Sequence, residues 1–208
     1  MKFLLFSDLH CDVLAAERLV ERAKGVDVVI GAGDFGMFRK ETDLVIQILR
    51  DIDLPAVLVP GNHESADELR EACRGWSQAH VLQGESWQFG NVDFFGIGGA
   101  TPPTPFGEWS YDFTEEQAGE MLAACPVGAV LISHSPPKGA VDVSSEGKSL
   151  GSTAVRDAIL HSQPAFVVCG HIHGSAGRTG MIGDSPVINA GPGGVEWKHE
   201  RMKNEVGN

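Results

Sequence analysis

The sequence predicts an α/β domain built on largely parallel strands. Short runs rich in Val, Ile, Leu and Phe alternate along the chain with apolar patterns of helical spacing. Those runs are apolar at nearly every position, as in a sheet covered on both faces. The chain has 208 residues, which suits one domain, read as residues 1–197 with a charged tail at 198–208. A domain of this size buries roughly 70% of the surface its unfolded chain exposes, so it needs no staples.

Lys2 to Phe6 is the first strand, and Asp8-Leu9-His10 follows its end. Ser7-Asp8 cuts the apolar run too short for an export signal. Asp12 is placed to cap a helix with Val13, Ala16, Val20 and Ala23 on its buried stripe. Val26 to Ile30 is a second strand, leading into Gly31-Ala32-Gly33-Asp34. Thr42 opens a helix with Val45, Ile48, Leu49 and Ile52 at i, i+3, i+4 and i+7. Ala56 to Val59 is a third strand, delivering Pro60-Gly61-Asn62-His63-Glu64. Ser65 and Glu68 have capping-box spacing, and their helix carries Leu69, Ala72, Cys73 and Trp76 on one face.

From His80 to Gly99 the pattern changes. Trp87 to Phe89 and Val92 to Phe95, joined by Gly90-Asn91, read as an antiparallel hairpin. Residues 100–110 hold three prolines and form a loop, in which Phe106 and Trp109, with Phe35 and Phe38, are candidates for a substrate mouth. Thr114 and Gln117 form a second capping box. Val127 to Ile132 is a strand that delivers Ser133-His134. Residues 138–150, polar and rich in Gly and Ser, read as a mobile loop, and Ser152 caps the next helix. Phe166 to Cys169 is a strand ending in Gly170-His171-Ile172-His173-Gly174. In an extended segment His171 and His173 point the same way, so both could reach one centre. A last hairpin, through Met181-Ile182 and Val187-Ile188, precedes Gly191-Pro192-Gly193-Gly194; the final ten residues are charged and expected to fray.

The formal charge of −12 argues against binding to a nucleic-acid polymer or an anionic membrane. It does not exclude a small anionic substrate, because bound cations reverse the local field. The four cysteines are scattered with no CxxC, which points to reduced thiols and a cytoplasmic protein. No apolar run reaches membrane-spanning length.

In open α/β sheets the site lies beyond the carboxyl ends of the strands. Asp8, His10, Asp34, Asn62, His63, His134, His171 and His173 all fall just after a predicted strand. Singly each has a bland reading: Asp34 and Asn62 as turn residues, His134 in the core, His10 on the surface. Together, oxygen and nitrogen donors at one sheet edge point to a metal site.

The order Asp8-x-His10, Gly33-Asp34, Gly61-Asn62-His63-Glu64, His134 and Gly170-His171-x-His173 resembles the calcineurin-like metallophosphoesterases. The resemblance implies a four-layer αββα sandwich of two mixed β-sheets flanked by helices. It implies two divalent ions, Mn²⁺, Fe or Zn²⁺, one held by Asp8, His10 and His173, the other by Asn62, His134 and His171. Asp34 would bridge them, and His63 would face the phosphate as a catalytic group beside Asp34 and Asn62. The expected activity is hydrolysis of small-molecule phosphodiesters by a metal-bound hydroxide. The alternatives are a phosphomonoesterase or phosphoprotein phosphatase and, last, a non-enzymatic scaffold.

Three departures stand out. Phe35-Gly36-Met37-Phe38-Arg39 replaces the Val-Asp-Arg-Gly that follows this aspartate in the protein Ser/Thr phosphatases of the family, which weakens the phosphoprotein reading. Cys11 occupies a place where glycine is expected and reads as a filler. The terminal strand expected after Gly191-Pro192-Gly193-Gly194 is short or absent. Glu64 and Asp67 read as helix cap and dipole partners.

Overall fold

A computed structural model describes residues 1–199. Two mixed sheets pack face to face, with helices on both outer faces. The first sheet takes strands β1 (Lys2–Phe6), β2 (Val28–Ala32), β3 (Ala56–Val59), β4 (Ala79–Val81) and β11 (Val195–Lys198), in the order β11-β1-β2-β3-β4. The second takes β5 (Glu85–Phe89), β6 (Val92–Ile97), β7 (Val130–Ser133), β8 (Phe166–Cys169), β9 (Thr179–Ile182) and β10 (Ser185–Asn189), in the order β5-β6-β7-β8-β10-β9. Central pairs run parallel; β11, β5 and β9 are antiparallel edges.

Strand alternation sorts the side chains into three apolar layers. Leu4, Phe6, Val29 and Leu58 face α1 (Val13–Arg22), α2 (Thr42–Leu49) and α3 (Ala66–Ala72). Phe3, Leu5, Ile30 and Val57 face Phe94, Ile132, Phe166 and Val168 of the other sheet. Phe95, Leu131, Val167 and Val187 face α4 (Glu115–Leu122) and α5 (Thr153–Ser162). Every central strand is therefore apolar on both sides, which is why the runs do not alternate in sequence. Phe3 fixes the mid-layer by edge contacts to Phe166 and Phe94, with ring centroids 5.1 and 6.3 Å apart.

α1, α3, α4 and α5 start at the capping residues expected from sequence, whereas α2 starts at Thr42 after Glu41 with no side-chain cap. The Asp12 side chain accepts from Ala15 N–H, and Ser65–Glu68 and Thr114–Gln117 both close capping boxes. The buried stripe of α1 is Ala15, Ala16 and Leu19, not one through Val13, which is 39% exposed. Leu19 and the small alanines fit the i, i+3, i+4 face, and Val13 falls off it. β2 and β7 begin two or three residues later than expected, because Val26-Asp27 and Val127 to Ala129 are entry turns.

The terminal strand, expected to be short or absent, is present and short: β11 has four residues. It pairs with β1 through Lys2–Lys198, Phe3–Trp197, Leu4–Glu196 and Leu5–Val195. It extends the first sheet, and Lys198, assigned to the tail, belongs to it; the rest of the expected tail, after His199, lies outside the described residues. Residues 138–150 are tied down by the buried Asp142, which accepts from Gly139 N–H, Gly151 N–H and the Ser149 hydroxyl.

Candidate metal centre

The carboxyl ends of parallel strands from both sheets open on the same edge. β1 delivers Asp8 and His10, β2 Asp34, β3 Asn62 and His63, β7 His134, and β8 His171 and His173. All eight residues singled out in the sequence meet there. Three overlapping groups form among the described residues: Asp8, His10 and His173; His10, Asp34 and His63; and Asp34, His134 and His171. Asn62 joins the group of Asp34, His134 and His171, its Oδ1 3.3 Å from His134 Nε2.

The expectation that His171 and His173 reach one centre fails. His171 has φ +65° and His173 begins a 3₁₀ turn, His173–Ser175, so the segment is not extended. Their rings part to different groups, the division the family resemblance implies.

The spacing fits two cations. Metal–donor bonds of about 2.0–2.2 Å put neighbouring donors on one ion about 3.0–3.6 Å apart. His10 Nε2 lies 3.1 Å from His173 Nε2 and 3.6 Å from Asp34 Oδ2. His173 Nε2 lies 3.7 Å from Asp8 Oδ1, and His134 Nε2 lies 3.5 Å from Asp34 Oδ2. Asp34 Oδ2 therefore faces both His10 and His134.

The proton positions give the same answer. His134 Nδ1 lies 2.7 Å from the Ala32 carbonyl, which only accepts, so Nδ1 carries the hydrogen. Asn62 Nδ2 donates to Ser110 Oγ at 3.0 Å, which turns Oδ1 inward. The neutral His134 ring thus points a lone pair at two oxygens, with all three residues at most 2% exposed. Three buried acceptors face to face require a proton or a metal ion between them.

The charges respond accordingly. Burial works against ionisation of Asp34, but His134 and His10 hold its carboxyl well below the usual range. Burial also opposes the charge on His134, yet Asp34 draws a proton onto that ring. Burial lowers His171 to about 4, leaving a neutral imidazole ready to ligate. The Asp8 carboxylate, 3.7 Å away, keeps His173 above its ordinary value.

The clamp that holds these donors does not show in the sequence. Glu64, fully buried, accepts four backbone N–H bonds: Asp34 at 2.8 Å, Phe35 and Gly36 at 3.0 Å, and Gly61 at 2.6 Å. It fastens the β2 and β3 turns to each other, and is not a helix cap; the exposed Asp67 pairs with Arg70. Asp34 Oδ1 completes the clamp by accepting His63 N–H at 2.9 Å. A Cβ at Gly61 would collide with the Asp34 carboxylate and backbone, so only glycine lets the two turns touch. Asn189 donates to the Gly170 and Ile172 carbonyls and fixes the β8 turn. Nothing in spacing or periodicity marks Asn189. Glu64 stands in the motif, but its place before a helix suggests only a cap.

Strain concentrates here. Asp8, His10, Cys11, Asp34 and His171 all have φ between +45° and +65°, a region that costs a non-glycine residue about 1–2 kcal/mol. The surrounding hydrogen bonds hold them there, among them His171 N–H to Asp8 Oδ1 at 2.9 Å and Ser7 Oγ to Asp8 Oδ2 at 2.6 Å.

His63 stands apart from the other histidines. One of its ring nitrogens is within 4.8 Å of donors on His10 and Asp34. But Nδ1 accepts the Phe38 N–H at 2.9 Å, so the neutral ring carries its proton on Nε2. Burial lowers its pKa, which favours that neutral form. Its ring packs on Trp109, and Trp109 on Phe38 and Phe106. Phe35 is no part of the mouth: it is 1% exposed and packs under Phe6. Burial and nearby Glu41 push the Cys11 thiol up, which agrees with a filler and not a reactive thiolate.

Among solved structures the chain is similar to the protein TT1561 of Thermus thermophilus, at 19% identity and TM-score 0.74, covering 91% of this chain and 88% of that one. It is similar to a dimetal phosphatase from Danio rerio at 16% identity and TM-score 0.60, covering 91% and 86%. A phosphopantetheinyl hydrolase from Mycobacterium tuberculosis aligns at 16% identity and TM-score 0.58, over 91% and 88%. At these identities the likeness establishes the fold. No curated protein matches the sequence. The family model of the calcineurin-like phosphoesterase superfamily domain matches residues 1–205. The chain therefore belongs to the calcineurin-like phosphoesterase superfamily, dinuclear metal-dependent hydrolases of phosphoric esters.

Proposed function

We propose that the chain hydrolyses small-molecule phosphodiesters at a two-cation centre. One observation carries this: two donor groups at metal-ligand spacing share the single carboxylate of Asp34 at the floor of an open cavity. In this reading Asp8, His10 and His173 hold one ion, Asn62, His134 and His171 the other, and Asp34 bridges. The donors are carboxylate, amide and imidazole, a set that suits Mn²⁺, Fe or Zn²⁺. Bound there, the ions supply Lewis acidity and lower the pKa of water towards ~7.

The chain's own residues do the rest. The Glu64 clamp fixes Asp34 and Asn62 against each other, so the bridge is preorganised. His63 presents Nε2–H to a phosphate oxygen or to the departing alkoxide and stabilises by that hydrogen bond the charge that develops there as the ester bond breaks. Phe38 N–H keeps that tautomer in place. Among the described residues no Lys or Arg lines the cavity, so a diester with one negative charge suits it better than a dianionic monoester. Among the described residues no helix is long and apolar enough to cross a membrane. The four cysteines are unpaired, which supports a reducing cytoplasm.

The test is hydrolysis by metal-stripped protein reloaded with Mn²⁺, Fe²⁺, Zn²⁺ or Mg²⁺. Bis(4-nitrophenyl) phosphate should turn over only in reloaded protein, and faster than 4-nitrophenyl phosphate. Turnover of the monoester alone would replace the diester reading with a monoesterase. Turnover of neither, with metals bound, would remove the phosphoesterase reading.

A further inference from the structure

The cavity over the centre has about 400 Å³, within the range of small-ligand pockets. Its floor is polar: His10, Asp34, Asn62, His63, His171 and His173. Its wall is not. Pro102, Pro103, Pro105, Phe106, Leu150 and Ile172 line it. The three prolines hold the wall in place without needing side-chain ordering on binding. Phe106 is 51% exposed and stacks parallel on Trp109, with centroids 5.7 Å apart and planes at 7°. Leu150 is 45% exposed and sits on the loop that Asp142 ties down. Two large apolar side chains left open to water beside one polar floor would gain by covering a ligand.

We infer that this wall is a specificity subsite for an uncharged apolar, ring-bearing substituent of the phosphodiester. The inference rests on the phosphodiesterase reading for its chemistry, but the wall's binding preference stands by itself. Beside it lie the hydroxyls of Ser144 and Ser145, enough for neutral hydrogen bonds and not for a second phosphate, while Thr104 Oγ1 already donates to Asp112 Oδ2 at 2.7 Å. The substrate class is therefore a phosphate esterified on one side to a hydrophobic or aromatic alcohol. A nucleoside polyphosphate or a phosphorylated peptide would bring charge that nothing on the wall answers.

The experiment compares two diesters with the same leaving group and the same charge, phenyl 4-nitrophenyl phosphate and methyl 4-nitrophenyl phosphate. Burying the phenyl ring should raise kcat/KM roughly ten- to hundredfold over the methyl ester. Phe106→Ala and Leu150→Ala, both exposed and safe for folding, should each pull that ratio toward one. Calorimetric binding of diphenyl phosphate and dimethyl phosphate to the metal-loaded protein separates this inference from the catalytic reading. Tighter binding of diphenyl phosphate, lost in Phe106→Ala, supports the subsite even if no ester is hydrolysed. Equal binding, or equal kcat/KM for the two esters, overturns it, with the phosphodiesterase reading intact if both turn over.

Discussion

Replacing Glu64 tests whether the centre is held by its backbone clamp or only by its ligands. The side chain touches no donor atom of either group directly; it accepts from the N–H groups of Asp34, Phe35, Gly36 and Gly61. In Glu64→Ala all four lose their partner in a fully buried place. An orphaned buried donor costs about 1–3 kcal/mol, and water entering the vacated space recovers part of it. Taking the low end for each, the variant should lose about 4 kcal/mol of stability, a large value for one substitution. For a domain of this size that is a fall in melting temperature of roughly 8–16 °C. Glu64→Gln keeps one acceptor oxygen but turns an NH₂ toward two of the donors, so its loss should be intermediate. The assay is urea unfolding of metal-stripped protein, so that ligand binding does not contribute. Metal affinity should fall in both variants although every ligand remains. A loss below about 1 kcal/mol for Glu64→Ala would refute the clamp.

Three further outcomes follow. His63→Ala should keep both metals and lose about 10²–10³ in kcat on a diester leaving as an alkyl alkoxide. With nitrophenolate leaving, it should lose far less; loss of an ion would make His63 a ligand. Because Asp34 draws a proton onto His134, metal uptake near neutral pH should release it, and affinity should fall as pH drops. Calorimetry in buffers of different ionisation enthalpy reads the proton count, and zero would contradict the assignment of His134. Burial resists the Asp142 charge, but bonds from Ser149, Gly139 and Gly151 hold its pKa below 3.8. Its stabilisation is therefore complete above that value and fades as pH falls through the lowered one. Asp142→Asn should cost about 1–2 kcal/mol at pH 7 and progressively less as pH falls below the ordinary carboxylate range, read by thermal melts across pH.

Much of the fold was legible because strands buried on both faces read as unbroken apolar runs and helix starts carry side-chain caps. β3 and β8 fell where the runs lie. β4 and β11 did not read as strands, since Ala79–Val81 is only three residues long and Val195–Lys198 is half exposed at a sheet edge. Their pairing is decided by tertiary neighbours and not by local pattern. The candidate centre was legible because each donor follows a strand end. What spacing could not give was the backbone: His171 in the left-handed region sends two histidines apart, where extended alternation joins them. The aromatic mouth was half legible. Phe106 and Trp109 line or flank the cavity, while Phe35, identical in kind, goes to the core because β2 and α2 close over it.

The central claim is that seven side chains hold two ions. Elemental analysis of protein purified with metals supplied, paired with anomalous scattering from crystals, tests it most directly. The account predicts two ions per chain, one against Asp8, His10 and His173 and one against Asn62, His134 and His171, with Asp34 touching both. Asp34→Ala should reduce the count of both ions together. A metal-replete preparation with no bound ion, or with a single ion that survives Asp34→Ala, would contradict it.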